Sequence, residues 1–119
     1  MKQVDVAQLF ELFCQTLEHC GMFLLKCERQ DIEYYLFEEF DSDSISFLHP
    51  NTLNILLEKG YISPDVYSLC KVLNEQFREM EGTHFWNADS VKIHSEWHLI
   101  LELSDTIKGR VKETQINCR

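Results

Sequence analysis

Apolar residues recur at steps of three and four along most of this chain, and that spacing constrains the fold more than any other feature. It is clearest after Ser63, where Val66, Leu69, Cys70, Leu73, Phe77 and Met80 hold it for four turns. A stripe of that length is one face of an amphipathic helix. The start signal in front of it is equally clear. Ser63 is a favoured N-cap, Pro64 suits the first helical position, and Asp65 puts negative charge where the helix dipole welcomes it. The spacing also runs through Val6, Phe10, Phe13, Cys14 and Leu17, after which Gly21 stands where a left-handed helix stop is expected. It returns in Ile32, Leu36, Phe37 and Phe40, and in Leu53, Leu56 and Leu57 between Pro50 and Gly60. A last helix, capped by Ser95, carries Trp97, Ile100, Leu101, Ser104, Ile107 and Val111 as its buried stripe.

Between these segments lie the breaks. The run Asp-Ser-Asp-Ser-Ile-Ser from Asp41 reads as a loop over residues 41–49, because such side chains bond their own backbone in competition with a helix. Glu81-Gly82-Thr83 ends the helix before it, and residues 87–93 read as a short helical turn entered through Phe85-Trp86. A strand within residues 22–40 is the alternative, since Tyr, Phe and Ile also favour strands. With only 4 Gly and 2 Pro, a design of many short hairpins is disfavoured. A chain of 119 residues that is 45% hydrophobic is long enough to bury one core. The expectation is therefore all-α: residues 1–119 as a single compact bundle of about five or six helices, with a polar tail fraying from about residue 113.

Charge and cysteines bound the setting. Acidic residues number 20 against 11 basic, a formal net charge of −9, which disfavours nucleic acid and anionic membranes as direct partners. No apolar run approaches the ~20 residues of a membrane span, and no export signal is visible at the N-terminus. The five cysteines, Cys14, Cys20, Cys27, Cys70 and Cys118, are odd in number and lack a C-x-x-C pair. That usage points to a reducing, cytoplasmic setting rather than to a disulfide framework or zinc site. Cys14 and Cys70 fit as small hydrophobes on apolar faces.

Signals for chemistry are sparse. His94 and His98 stand four apart with Glu102 one turn on, but the order His-x-Glu-x-His is not a zinc-protease motif, and surface histidines are the plainer reading. Neither a strained Gly-x-Ser-x-Gly turn nor a phosphate-cradling glycine loop occurs. No catalytic residue, metal or cofactor is expected. Trp97 reads as core with an indole N–H in need of a partner, while Trp86 could plug a bundle end or anchor an interface. Lys108, Arg110 and Lys112 read as favourable charge near a helix C-terminus.

The feature that stands out is a concentration of acid. Residues 28–43 hold Glu28, Asp31, Glu33, Glu38, Glu39, Asp41 and Asp43 against Arg29 alone, so −6 of the −9 falls in this stretch. On a regular helix Asp31, Tyr34 and Glu38 would line one face, with Asp41 following. Carboxylates in a last helical turn oppose the dipole at ~0.3–1 kcal/mol each, which makes a purely structural account awkward. Two readings stay open: a solvated face, or a docking surface for a basic protein whose approach such a field would speed.

The chain resembles the small helical immunity proteins of bacterial polymorphic toxin and contact-dependent growth inhibition systems. The resemblance lies in Leu56-Leu57-Glu58-Lys59-Gly60-Tyr61-Ile62-Ser63-Pro64 ahead of a long helix, and in Phe85-Trp86-Asn87-Ala88-Asp89-Ser90-Val91 with Glu96-Trp97 downstream. It implies a protein that binds and neutralises a cognate toxin, often a basic nuclease, with the acidic residues standing in for nucleic-acid phosphates. Asp31, Glu33, Tyr34, Glu38, Glu39, Asp41 and Asp43 are then the expected toxin contacts. A helical adaptor or regulatory domain outside toxin systems is the alternative, and a gene placed directly after a toxin would separate the two.

Overall fold

The computed structural model describes residues 5–117, with side chains as far as residue 113. Helix α1 (Val6–Glu18) opens on Asp5, whose carboxylate accepts a hydrogen bond from the Ala7 N–H at 3.2 Å. It buries Leu9, Phe13, Thr16 and Leu17, while Phe10 and Cys14 sit half-buried at the edge of that stripe. A 3₁₀ turn follows at Met22–Lys26. Gly21 before it has φ 170°, extended backbone rather than the left-handed stop expected there. Glycine serves close approach instead: a Cβ would lie 2.5 Å from Asp105 Oδ1 and 2.8 Å from Lys108 Nζ.

Three segments then run on without a break: α2 (Arg29–Ile32), a π-helical segment (Glu33–Phe40) and α3 (Asp41–Phe47). Glu33 and Asp41, at the two joins, both have helical φ and ψ, so the three form one rod. The loop expected over residues 41–49 is thus a helix as far as Phe47. Its Ser44, fully buried, donates its hydroxyl hydrogen bond to Asp41 O at 3.1 Å. The rod's buried side chains are Ile32, Leu36, Phe40, Ser44 and, just past its end, Leu48. Steps of four overshoot an α-helical turn by about 40° each, and the wider π turns within the rod take up that drift.

The next three helices begin where the sequence signals place them, and the last begins one residue earlier than its expected cap implies. His49 Nδ1 accepts from Asn51 N–H at 3.0 Å and opens α4 (Pro50–Glu58), with Pro50 in its first turn. Ser63 Oγ accepts from Val66 N–H at 3.1 Å and opens α5 (Pro64–Met80), whose Val66, Cys70, Leu73, Phe77 and Met80 are buried. Gly60 and Gly82, at φ +80° and +87°, supply the left-handed turns after α4 and α5. Asn87 caps the short α6 (Ala88–Ile93). Ser95 is the first residue of α7 (Ser95–Asn117) rather than its cap, since His94 holds the extended conformation in front of it. Every position of the expected α7 stripe is buried, from Trp97 to Val111. The tail expected to fray from residue 113 keeps helical backbone to Asn117.

Helix accounts for 81% of the molecule and no strand occurs among the described residues, so the strand alternative for residues 22–40 falls. With the rod counted once, six helices form an all-α bundle. Two connections lock it. At the end of α1, the Cys20 carbonyl accepts from the buried Ser104 hydroxyl at 2.7 Å and from Lys108 Nζ at 2.9 Å, while Asp105 Oδ2 accepts from Met22 N–H at 3.0 Å. Lys108 thus serves the C-terminus of α1, not that of its own helix as expected. The second is aromatic: Phe77 meets Phe40, Trp86 and Trp97 at centroid distances of 4.8, 5.0 and 5.9 Å, and Phe37 meets Trp86 and Trp97 at 4.9 and 5.6 Å. Trp97 Nε1 donates to Phe85 O at 2.7 Å, the partner its burial demands. Trp86, partly buried, packs into this cluster against Phe37, Phe77 and Trp97.

Trp97→Phe keeps an aromatic ring but orphans the Phe85 carbonyl, so urea denaturation is expected to show a loss of about 1–3 kcal/mol. Phe77→Ala, which empties the middle of the aromatic cluster, is expected to lose about 3–5 kcal/mol in the same assay.

Candidate functional site

The acidic stretch folds into the rod, and the four-residue spacing of its buried line sorts the other positions. Those two places away from the line form a crest opposite the core: Gln30, Tyr34, Glu38 and Ser42, all exposed. Asp31, Tyr35, Glu39 and Asp43 form one flank, and Glu33, Phe37 and Asp41 the other. The straight stripe of Asp31, Tyr34, Glu38 and Asp41 expected from α-helical geometry is therefore not what the structure presents. Tyr34 instead donates its hydroxyl hydrogen bond to Glu39 Oε1, five residues on, at 2.9 Å. That separation suits the wider π turn.

The two flanks have different neighbours. On one, Tyr35 stacks with His19 of the α1 terminus at 5.8 Å and meets Phe23 of the 3₁₀ turn edge-on at 5.9 Å. On the other, Phe37 enters the aromatic cluster and Asp41 turns to α5. Arg78 Nη1 donates to Asp41 Oδ1 at 2.6 Å, and its Nη2 donates to Asp41 O at 2.8 Å and to Ser44 Oγ at 2.7 Å. The guanidinium also lies 5.1 Å from the Phe77 ring centroid. Asp41 is thus engaged within the fold by Arg78, with its side chain still 28% exposed. Arg29, the one cation of the stretch, reaches away to form a two-point pair with Asp89 of α6 at 3.2 and 2.9 Å.

What remains outward is Glu28, Asp31, Glu33, Glu38, Glu39 and Asp43, none of them ion-paired to a Lys or Arg among the described residues. Because the rod continues to Phe47, none of these carboxylates lies in a last helical turn, and the dipole penalty expected for them does not arise. Tyr34, 49% exposed, stands on the crest between Glu38 and the Glu39 that holds it. Its phenol pKa is raised above 10, first by the hydrogen bond to Glu39 and then by the Glu39 charge, with smaller contributions from burial, Tyr35 and Glu38.

The other candidate groups are dispersed. His94 lies outside α7 with its ring centroid 3.7 Å from that of Phe85, and His98 Nε2 sits 3.0 Å from Lys92 O. No group of three His, Cys, Asp or Glu suited to a metal occurs among the described residues, so His94, His98 and Glu102 are not brought together as a ligand set. Burial pushes the thiols of Cys20 and Cys70 up to about 12 and that of Cys14 to about 11, which suppresses their thiolates. Cys118 lies outside the described residues. Arg110 pairs with Asp65, the N-terminal acid of α5. No helix among the described residues is long and apolar enough to cross a membrane. No family model matches the chain, and no curated protein or solved structure matches it significantly.

Two measurements check this geometry. A double-mutant cycle of Arg78→Met and Asp41→Asn is expected to give a coupling of about 1–3 kcal/mol, above the ~0–1 of exposed pairs, because both side chains are only 28% exposed. In a spectrophotometric titration, Glu39→Gln is expected to bring the Tyr34 transition back down towards 10. The sign follows from the neutral phenol being the donor. The bond is intact below pH 10 and is lost as pH rises through the raised value.

Proposed function

We propose that this chain is an immunity protein that binds and neutralises a cognate toxin, a basic nuclease domain, in the bacterial cytoplasm. One observation carries the reading. Six carboxylates without a Lys or Arg partner among the described residues share the outward side of the rod with a tyrosine that is half-exposed yet held in one orientation by Glu39. Such a patch does two things for binding. Its field draws in a basic surface and sets specificity. Its tyrosine adds apolar contact area at low entropic cost, since only two side-chain torsions need fixing and one end is already bonded. A surface built to bind phosphate recognises carboxylates by the same charge-assisted hydrogen bonds, so the patch competes with nucleic acid for the toxin. The contacts are Asp31, Tyr34, Glu38, Glu39 and Asp43, with Glu33 at the edge.

The test begins with affinity capture from the source bacterium, which should recover a basic nuclease domain. Against that partner, joint reversal of Asp31, Glu33, Glu38 and Glu39 to Lys, with Asp41 left in place, is expected to weaken binding at least about tenfold. The loss should fall on the association rate and flatten its salt dependence. A partner that is not a nuclease, or an affinity that the reversal leaves unchanged, sinks the reading.

A further inference from the structure

A cleft of about 350 Å³ lies between α5 and α7 beside the turn that follows α5. Its apolar surface comes from Met80, Phe85, Leu99 and Ile100, and its carboxylates from Glu79 and Glu96. The walls are preformed. Met80 and Ile100 are buried, and the Phe85 carbonyl is held by Trp97. The Thr83 hydroxyl ties the turn by donating to Met80 O at 2.6 Å and accepting from Phe85 N–H at 3.2 Å. Leu99 is 63% exposed at the rim, apolar surface that the fold leaves uncovered. No Lys or Arg lines the cleft, and neither carboxylate is ion-paired to one among the described residues. His94 Nδ1 stands 3.6 Å from Glu96 Oε1, beyond hydrogen-bond reach.

We infer that this cleft binds an apolar organic cation, an ammonium or guanidinium on a short aliphatic or aromatic body. The body lies on Phe85, Leu99 and Ile100 while the charge reaches Glu79 and Glu96. The volume is at the lower end of ligand-sized cavities, roughly 300–1,000 Å³, which suits a body of one ring or a few methylenes. The cation arrives either as a free amine or as a Lys or Arg beside an apolar residue in a protein segment. None of the six residues belongs to the acidic rod, so the inference stands apart from the proposed toxin contact. A cleft of similar size, about 360 Å³, lies between α1 and α7, lined by Lys108 and Lys112 against the single carboxylate of Glu18, a balance that disfavours the same ligand.

NMR titration of the full chain with phenethylamine, its neutral counterpart 2-phenylethanol, and the capped dipeptide acetyl-Phe-Arg amide tests this. Amide shifts are expected at Phe85, Leu99 and Ile100, with phenethylamine binding about fivefold or more tighter than the alcohol. The Glu79→Gln/Glu96→Gln variant, altered only at exposed positions, is expected to abolish that advantage while leaving the alcohol unchanged. A dipeptide that binds about tenfold tighter than the amine identifies a protein segment as the source, and a weaker one identifies a free amine. Equal affinity for amine and alcohol, shifts centred on the α1/α7 cleft, or no saturable binding of any probe overturns the inference.

Discussion

The ring of Phe77 is the point on which the rest of this structure depends. Phe40 meets it from the rod, Trp97 from α7 and Trp86 from the connection between α5 and α6, all within 6 Å of its centroid. Aromatic side chains each bury on the order of 150–250 Å², so this cluster supplies a large share of the driving force in a chain of 119 residues. It also has a directional bond. The Trp97 indole N–H can be buried only because the chain turns at Phe85 to offer a carbonyl, and that turn shapes one wall of the α5/α7 cleft. Core and surface are fixed together: Phe37 and Phe40 inside determine that Tyr34 and Glu38 face out.

Arg78 completes what packing begins. A rod with seven acidic residues near one another pays for its own repulsion unless some are neutralised, and the bundle neutralises one. The Arg78 guanidinium grips the Asp41 carboxylate, the Asp41 carbonyl and the Ser44 hydroxyl, and lies against the Phe77 ring. It thereby fastens the end of the π segment to α5 and satisfies a buried serine. The other carboxylates of the rod receive no such treatment and are left facing solvent.

Much of this was legible in the sequence. The cap at Ser63, five of the six positions of the α5 stripe and the whole stripe of α7 depend on local chemistry and periodicity, which a sequence states directly. Residues 41–47 were not legible as helix, because Asp and Ser favour loops by bonding their own backbone. Here Ser44 and Asp41 find partners on Arg78, 34 and 37 residues away, and tertiary contact overrides the local preference. Gly21 was misread for a related reason, since its constraint comes from Asp105 and Lys108 on a distant helix. The acidic concentration itself was visible, but its sorting into crest and flanks was not, since α-helical spacing was assumed throughout. The signal was present in Ile32, Leu36 and Phe40. Their unbroken spacing of four, continued by Ser44 and Leu48, does not keep to one face of a regular α-helix.

The π segment therefore decides the chemistry of the surface and not merely its shape. In an uninterrupted α-helix Tyr34 would stand over Glu38, and Asp41 would follow them on the exposed face. Arg78 would then be left in a half-buried site without its carboxylate, the arrangement that costs most in an ion pair. The wider turns instead carry Glu39 under the Tyr34 hydroxyl and swing Asp41 to Arg78. One carboxylate is spent on stability and another on orienting a tyrosine. Asp31, Glu33 and Glu38 stay exposed, so the local helical form determines which charges the surface presents.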